Sequence, residues 1–321
     1  MPPEIRSVVV LFDDDSPERT AAAHEYADRF VERAVCRLVA VRPAECAGEG
    51  PGGDPYGLAE LLPALDIDAA VLVAPRRRGS RRLVPGPVVA GVPVGIVQAD
   101  RCDQLPALAG APDPEAPWIV AAMAKNVFLD PSDDWAARLD AVHPATDLRA
   151  DRARRTDLLD ALANGPSVVL YAGHGSPRGW AGYQALRVEH CAGPLNSSNT
   201  DTTAVRSGAP AGLMMAFACK TLARHRGRWP FGSSLVETGS TLAYLAPATT
   251  VRTADAERLS EIVVDLLVDL TSRSTSTGIA CGTPRVCDLL CSIEQRCRLD
   301  AAAGRAWATY RLIGDPLTPL V

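Results

Sequence analysis

Short runs of apolar and β-branched residues recur along the chain, and segments compatible with helices separate most of them. Such runs are too short and too uniform for an amphipathic helix and are typical of strands buried on both faces of a parallel sheet. The runs that predict strands cover residues 7–12, 36–41, 69–74, 94–98, 118–123, 168–171, 212–220 and 241–246. Helical patterns cover residues 21–30, 58–65, 133–139, 151–162, 231–237 and 255–271. Strands that alternate with helices predict an α/β protein with a parallel sheet.

The segment 106–117 is rich in proline and alanine, and the strand–helix pattern restarts after it. A chain of 321 residues is also long for a single core. We therefore predict a smaller N-terminal α/β subdomain over residues 1–112 and a second, complete α/β domain over residues 113–321.

Composition narrows the class of protein. Hydrophobic residues make up 47% of the chain and charged residues 22%, and the formal net charge is −5. A general nucleic-acid binder would be basic, so we expect no nucleic-acid partner. No apolar stretch reaches the length needed to span a membrane, so we expect no membrane partner either. The start of the chain has no signal-peptide pattern, and the nine cysteines are an odd number. We therefore expect a cytoplasmic protein without a disulfide framework.

Two of the predicted buried strands end in residues that carry chemistry. The run at 168–171 leads into Gly-His-Gly, which contains His174, and the run at 212–220 contains Cys219. Functional residues collect at the carboxyl ends of parallel strands, so we expect both side chains to face one cleft. The basic residues Lys220, Arg224, His225 and Arg226 would favour a thiolate at Cys219. The alternatives are a structural histidine and a buried core cysteine, and the residues alone leave them open.

The same residues resemble the caspase-like cysteine peptidases, which include gingipains, separases and bacterial CHAT-domain proteins. Tyr171–Gly175 with Trp180 resembles the His motif of the gingipain and CHAT group, and Met215–Cys219 with the helix after it resembles the Cys motif. Tyr310–Leu317 is similar to the tail of gingipain-like domains. The resemblance covers about residues 118–321. The first half of the chain shares only the general α/β pattern with the additional subdomain of gingipains.

The resemblance implies a caspase-like fold, which is a mostly parallel sheet flanked by helices. It implies that Cys219 is the nucleophile, that His174 is the general acid–base, and that the backbone N–H groups of Gly175 and Cys219 form an oxyanion hole. The function it implies is a cysteine endopeptidase that cleaves a specific protein or peptide through a thioester, with no cofactor. A ligase or cyclase with the same dyad and a non-catalytic binding module are alternatives. An activating partner protein is left open.

Two further residues are candidate substrate contacts. Trp180 belongs to the resembling His motif. Asp201 lies in a polar loop and could contact a basic substrate side chain, although ordinary turn chemistry also explains an aspartate there. The basic run at 76–82 is interpreted as a solvated loop.

Four late cysteines could indicate a metal site. Cys281, Cys287, Cys291 and Cys297 are separated by five, three and five residues, whereas zinc sites usually show pairs separated by about two to four residues. Only Cys287 and Cys291 share a helical face. We therefore predict core thiols and no common metal site.

Overall fold

The structure, a computed structural model, describes residues 6–13, 16–30, 34–41, 56–75, 85–106, 111–192, 209–223, 229–276 and 283–321. Its strands are β1 (Arg6–Phe12), β2 (Ala34–Ala40), β3 (Ala69–Ala74), β4 (Val88–Val89), β5 (Val92–Gln98), β6 (Trp118–Ala122), β7 (Ala145–Arg149), β8 (Val168–Ala172), β9 (Gly175–Ser176), β10 (Gly179–Trp180), β11 (Leu186–Arg187), β12 (Ala211–Phe217), β13 (Thr241–Pro247) and β14 (Tyr310–Gly314). Its helices are α1 (Pro17–Asp28), α2 (Leu58–Leu61), α3 (Asn126–Asp140), α4 (Arg155–Ala163), α5 (Gly182–Ala185), α6 (Val188–Ala192), α7 (Phe231–Glu237), α8 (Thr253–Ser276), α9 (Val286–Leu299) and α10 (Ala301–Trp307). Two short 3₁₀ turns lie at Leu62–Ala64 and Cys102–Gln104.

One large sheet runs through the molecule in the order β2-β1-β3-β5-β14-β13-β12-β8-β6-β7, with β4 beside β5. Neighbouring strands along this path are parallel except β13 and β14, which are antiparallel. The last strand, β14, is also parallel to β5 of the first half of the chain. The two halves therefore share one sheet, in which β14 runs in the direction of β5 and opposite to the other second-half strands along this path. The division near residue 112 stays a prediction.

The strand β8 shows why its residues predict a strand covered on both sides. All five of its residues are buried. Val168, Leu170 and Ala172 pack in the core that contains residues of α3, α8, α9 and α10. Val169 and Tyr171 pack in the opposite core, which contains residues of α4 and α7. We call these the α3–α8 face and the α7 face. The predicted mostly parallel sheet with helices on both sides is confirmed.

Some elements differ from the sequence prediction. β7 and β14 are strands that the apolar runs do not indicate, and α3 starts seven residues before the predicted helix at 133–139. The predicted helix at 151–162 begins only at Arg155. Among the helices in the described ranges, none is long and apolar enough to cross a membrane.

Candidate active site

His174 and Cys219 follow neighbouring strands at equivalent positions. β8 and β12 are parallel, and their last paired residues are Ala172 and Phe217. Each of the two candidate residues lies two positions beyond its strand, so both lie at the carboxyl ends of these strands, side by side. Both line one cleft. The structure therefore brings the two predicted residues together.

The chain turns sharply directly after Cys219. Lys220 has a φ of 62°, a left-handed conformation that costs a residue with a side chain roughly 1–2 kcal/mol. The half-buried Cys219 side chain is held by the loop after β13: the Val251 N–H donates to Sγ at 3.3 Å, and the thiol is 3.5 Å from the Val251 carbonyl oxygen, which can accept its proton. A backbone N–H directed at sulfur accommodates the negative charge that a nucleophilic thiolate carries.

The backbone of His174 is held in place while its side chain is exposed. Its carbonyl oxygen accepts hydrogen bonds from the Ala181 N–H at 2.9 Å and from the Tyr171 hydroxyl at 3.2 Å. The imidazole meets the ring of Phe128 edge-on, with 5.1 Å between the ring centroids. Phe128 comes from α3, so this helix helps to position the histidine ring against the cleft.

Gly175 directs its N–H away from the hairpin that follows. Because Ala181 donates to the His174 carbonyl, residues 174 and 181 form a hydrogen-bonded pair of the antiparallel ladder. Such pairs alternate, so Gly175, opposite Trp180, occupies a position whose N–H and carbonyl do not bond to β10.

Gly175 also lies against the Cys219 loop. A Cβ atom at residue 175 would be 2.8 Å from the Cys219 carbonyl oxygen and 3.0 Å from the Ala218 Cβ. The backbone of the His174 loop and that of the Cys219 loop are thus in direct contact, as an oxyanion hole shared by Gly175 and Cys219 would require.

The walls of the cleft come from α3, α8 and the ends of four strands. Its remaining lining residues are Val127, Phe128, Pro131, Trp135, Ala172, Gly173, Phe217, Ala218, Pro247, Val251, Thr253, Ala256, Glu257, Ser260 and Tyr310. Most of these are apolar. Phe128 and Trp135, one helical heptad apart, are among the cleft residues that sequence analysis missed, although their spacing places them on one face of α3.

Tyr310 is another cleft residue that sequence analysis did not assign to the site. Its ring is fully buried, and its hydroxyl has no hydrogen-bond partner among the described residues. Burial, first of all, and the nearby Cys219 raise the pKa of this hydroxyl well above its ordinary value, so the group stays protonated. A neutral phenol therefore lies close to the candidate nucleophile.

The predicted substrate contact of Trp180 does not fit its position. Trp180 is only 1% exposed and stacks on Tyr171, with 4.1 Å between ring centroids. Its indole N–H donates to the hydroxyl of Tyr244 at 3.1 Å. These contacts lie on the α7 face of the sheet, whereas the cleft opens on the α3–α8 face. Trp180 supports the His174 loop from the opposite side of the sheet.

Several predicted features lie outside the described residues. These are Asp201, Cys281, the basic run at 76–82 and the basic residues at 224–226.

Three of the four late cysteines lie on α9. Cys287 packs in the core formed by α1 and the first strands, and Cys297 packs in the core of the α3–α8 face. These two thiols therefore point into different cores. Within the described ranges, no group of three or more His, Cys, Asp or Glu side chains is placed to hold a metal ion.

The comparisons with known proteins agree with this architecture. The chain is similar in structure to the Arg-specific cysteine proteinase gingipain R, with a TM-score of 0.64 and 12% identity over 98% of this chain and 78% of that one. It is equally similar to the complex of the pro- and mature domains of RgpB from Porphyromonas gingivalis, with a TM-score of 0.63, 13% identity, and coverage of 98% and 79%. Saccharomyces cerevisiae separase, solved with securin, gives a TM-score of 0.50 and 14% identity over 78% of this chain and 16% of that one. The fold is therefore caspase-like.

The family model of Peptidase family C25 matches residues 106–321. The chain belongs to this family. It is accordingly a cysteine peptidase, a hydrolase of peptide bonds, and the predicted kinship with gingipains is confirmed. No curated protein sequence matches the chain.

Proposed function

We propose that this C25 peptidase is an endopeptidase that cleaves a specific protein or peptide with Cys219 as nucleophile and His174 as general acid–base. The observation that carries the proposal is that both residues follow adjacent parallel strands and line the same cleft. The contact between Gly175 and the Cys219 loop supports the oxyanion-hole assignment.

The reaction begins when the thiol proton passes to His174 and the sulfur attacks the scissile carbonyl carbon. The N–H groups of Gly175 and Cys219 stabilise the oxyanion that forms. The C–N bond then breaks, and His174 returns its proton to the departing amine. Water hydrolyses the resulting thioester, with His174 accepting a proton from the water, and the thiol is regenerated.

Variants of single residues test the proposal. We expect Cys219→Ala and His174→Ala to lose all measurable cleavage of peptides and of casein while the urea unfolding curve remains close to that of the wild type. Cys191→Ala, which removes a buried thiol on α6, and Cys291→Ala, which removes a half-buried one on α9, are the matched controls. Full activity of Cys219→Ala, or loss of activity in Cys191→Ala alone, would contradict the assignment. Product masses distinguish hydrolysis from transfer of the acyl group to an amine.

We also propose a cytoplasmic site of action. All seven cysteines that the structure describes are free thiols, as is usual for proteins of a reducing compartment. A protein partner that controls activity is a further proposal, supported by the complexes of the gingipain mature domain with its pro-domain and of separase with securin.

A further inference from the structure

The cleft beside Cys219 lies where one particular substrate side chain must go. In the acyl-transfer step the sulfur has to approach the scissile carbonyl carbon to about 3–3.5 Å. The side chain of the residue that carries this carbonyl begins two bonds from that carbon. The cleft next to Cys219 and His174 is therefore the space into which the residue before the scissile bond projects.

The walls of this cleft offer apolar contact along their length. Trp135 and Phe217 pack edge to face with 5.3 Å between ring centroids, and both rings are largely buried, which makes this wall rigid. Val127, at the start of α3, is 47% exposed and is one of the few large apolar side chains of the described residues that face solvent. An exposed valine at the edge of an apolar cleft is the contact that a large apolar ligand would cover.

The cleft lacks the charges that an ionic side chain would need. Among its described lining residues there is no lysine or arginine, and the one carboxylate is that of Glu257, an exposed residue on α8. An acidic substrate side chain would meet this carboxylate without a cation to balance it. A basic side chain would gain only a solvent-screened pair, which contributes little to binding.

We infer that the residue before the scissile bond is a large apolar one such as leucine, methionine or phenylalanine, held between Val127, Trp135 and Phe217. The inference rests on the proposed function, since it assigns a specificity to the same nucleophile. It sets this chain apart from the structural relative described as Arg-specific.

A panel of peptide acyloxymethyl ketones that differ only in the terminal residue tests both the nucleophile and its specificity. The full-length protein is treated with the Leu, Phe, Ala, Lys and Asp ketones, the rate constants of labelling are measured, and the modified residue is mapped by mass spectrometry. We expect Cys219 to react with the Leu or Phe ketone at least about 10-fold faster than with the Ala, Lys or Asp ketone.

The variant Val127→Asp adds a charge to the cleft. An aspartate in the first turn of a helix is compatible with folding, so α3 should remain intact. We expect the rate with the Leu ketone to fall and the rate with the Lys ketone to rise, each by about 10-fold. Val35→Asp makes the same change at a valine that is 53% exposed on β2, at the far edge of the sheet, and should alter neither rate.

The possible failures are distinguishable. If the Lys or Asp ketone labels Cys219 fastest, the proposed function stands and the apolar specificity is wrong. A Lys preference that disappears in Glu257→Gln would assign the cleft to basic side chains. If no ketone labels Cys219, the proposed function fails and the inference fails with it.

Discussion

Gly175 packs against the loop that carries the candidate nucleophile, and a methyl group placed there has a predictable cost. In Gly175→Ala the new Cβ would be 2.7 Å from the Thr221 Cγ2 and 2.8 Å from the Cys219 carbonyl oxygen. Ordinary contact begins at 3.4 Å, so the two loops must separate by about 0.6 Å. Thr221 is fully buried, and the oxygen belongs to the backbone, so neither atom can simply rotate away.

Two effects of Gly175→Ala follow from this separation. Overpacking of this kind costs about 1–3 kcal/mol of unfolding free energy. Because a misplacement of about 1 Å at a reacting centre costs about 100-fold in rate, a shift of more than half that size should lower kcat/KM by about 10-fold or more. Urea unfolding and the rate of peptide cleavage or of ketone labelling measure the two effects.

Gly86→Ala is the matched control. Among the described residues other than its chain neighbours, the nearest atom to its Cβ would be the Val88 carbonyl oxygen at 3.5 Å, which is ordinary contact, and its backbone is not in the left-handed region. We expect wild-type activity and a stability equal to or slightly above that of the wild type, because alanine restricts the unfolded chain. If Gly175→Ala matches Gly86→Ala in both stability and rate, the contact between the two loops does not position the site, and the reasoning is refuted.

Two further predictions concern buried groups. Tyr171→Phe removes the acceptor of the buried Gly182 N–H and should lower the free energy of unfolding in urea by about 1–3 kcal/mol. Tyr310→Phe removes a hydroxyl without a described partner and should leave that free energy unchanged or raise it. Equal losses of stability in the two variants would contradict this difference. Burial raises the pKa of Cys287 and Cys297 to about 12, so both should resist iodoacetamide at pH 8 in the folded protein, and metal analysis should find no stoichiometric zinc. Rapid labelling of either thiol, or one zinc ion per chain, would show that α9 is packed differently.

Elements buried on both faces could be predicted from the sequence because their signal is local. β3 and α7 have the predicted bounds, β8 ends one residue after its predicted run, and β12 ends at Phe217, three residues before the end of its predicted run. Every position of such a strand must be apolar, so a few consecutive residues suffice to recognise it. The same locality explains why His174 and Cys219 could be selected: each directly follows a recognisable buried run.

The edge strand β7 carried no such signal. β7 has the sequence ATDLR, is paired on one side only, and leaves most of its residues half-buried or exposed. An edge strand needs only part of its surface covered, so polar residues are acceptable there and the apolar run is missing. β14 is fully buried, but sequence analysis recognised its residues only as part of the motif Tyr310–Leu317 and not as a strand. Its place between β5 and β13 depends on partners far away in the chain.

The assignment of side chains to one face of the sheet was decided by the tertiary structure alone. Neighbouring residues of a strand point to opposite faces, so Ala172 borders the cleft while Tyr171 stacks against Trp180 on the other side of the sheet. The cleft itself exists because α3 and α8 pack beside the ends of β8 and β12, which brings Trp135 against Phe217. The local sequence was enough to select His174 and Cys219 as the candidate catalytic residues. Which side chains surround them was decided by strand order and helix packing, because these depend on contacts between residues that are distant in the chain.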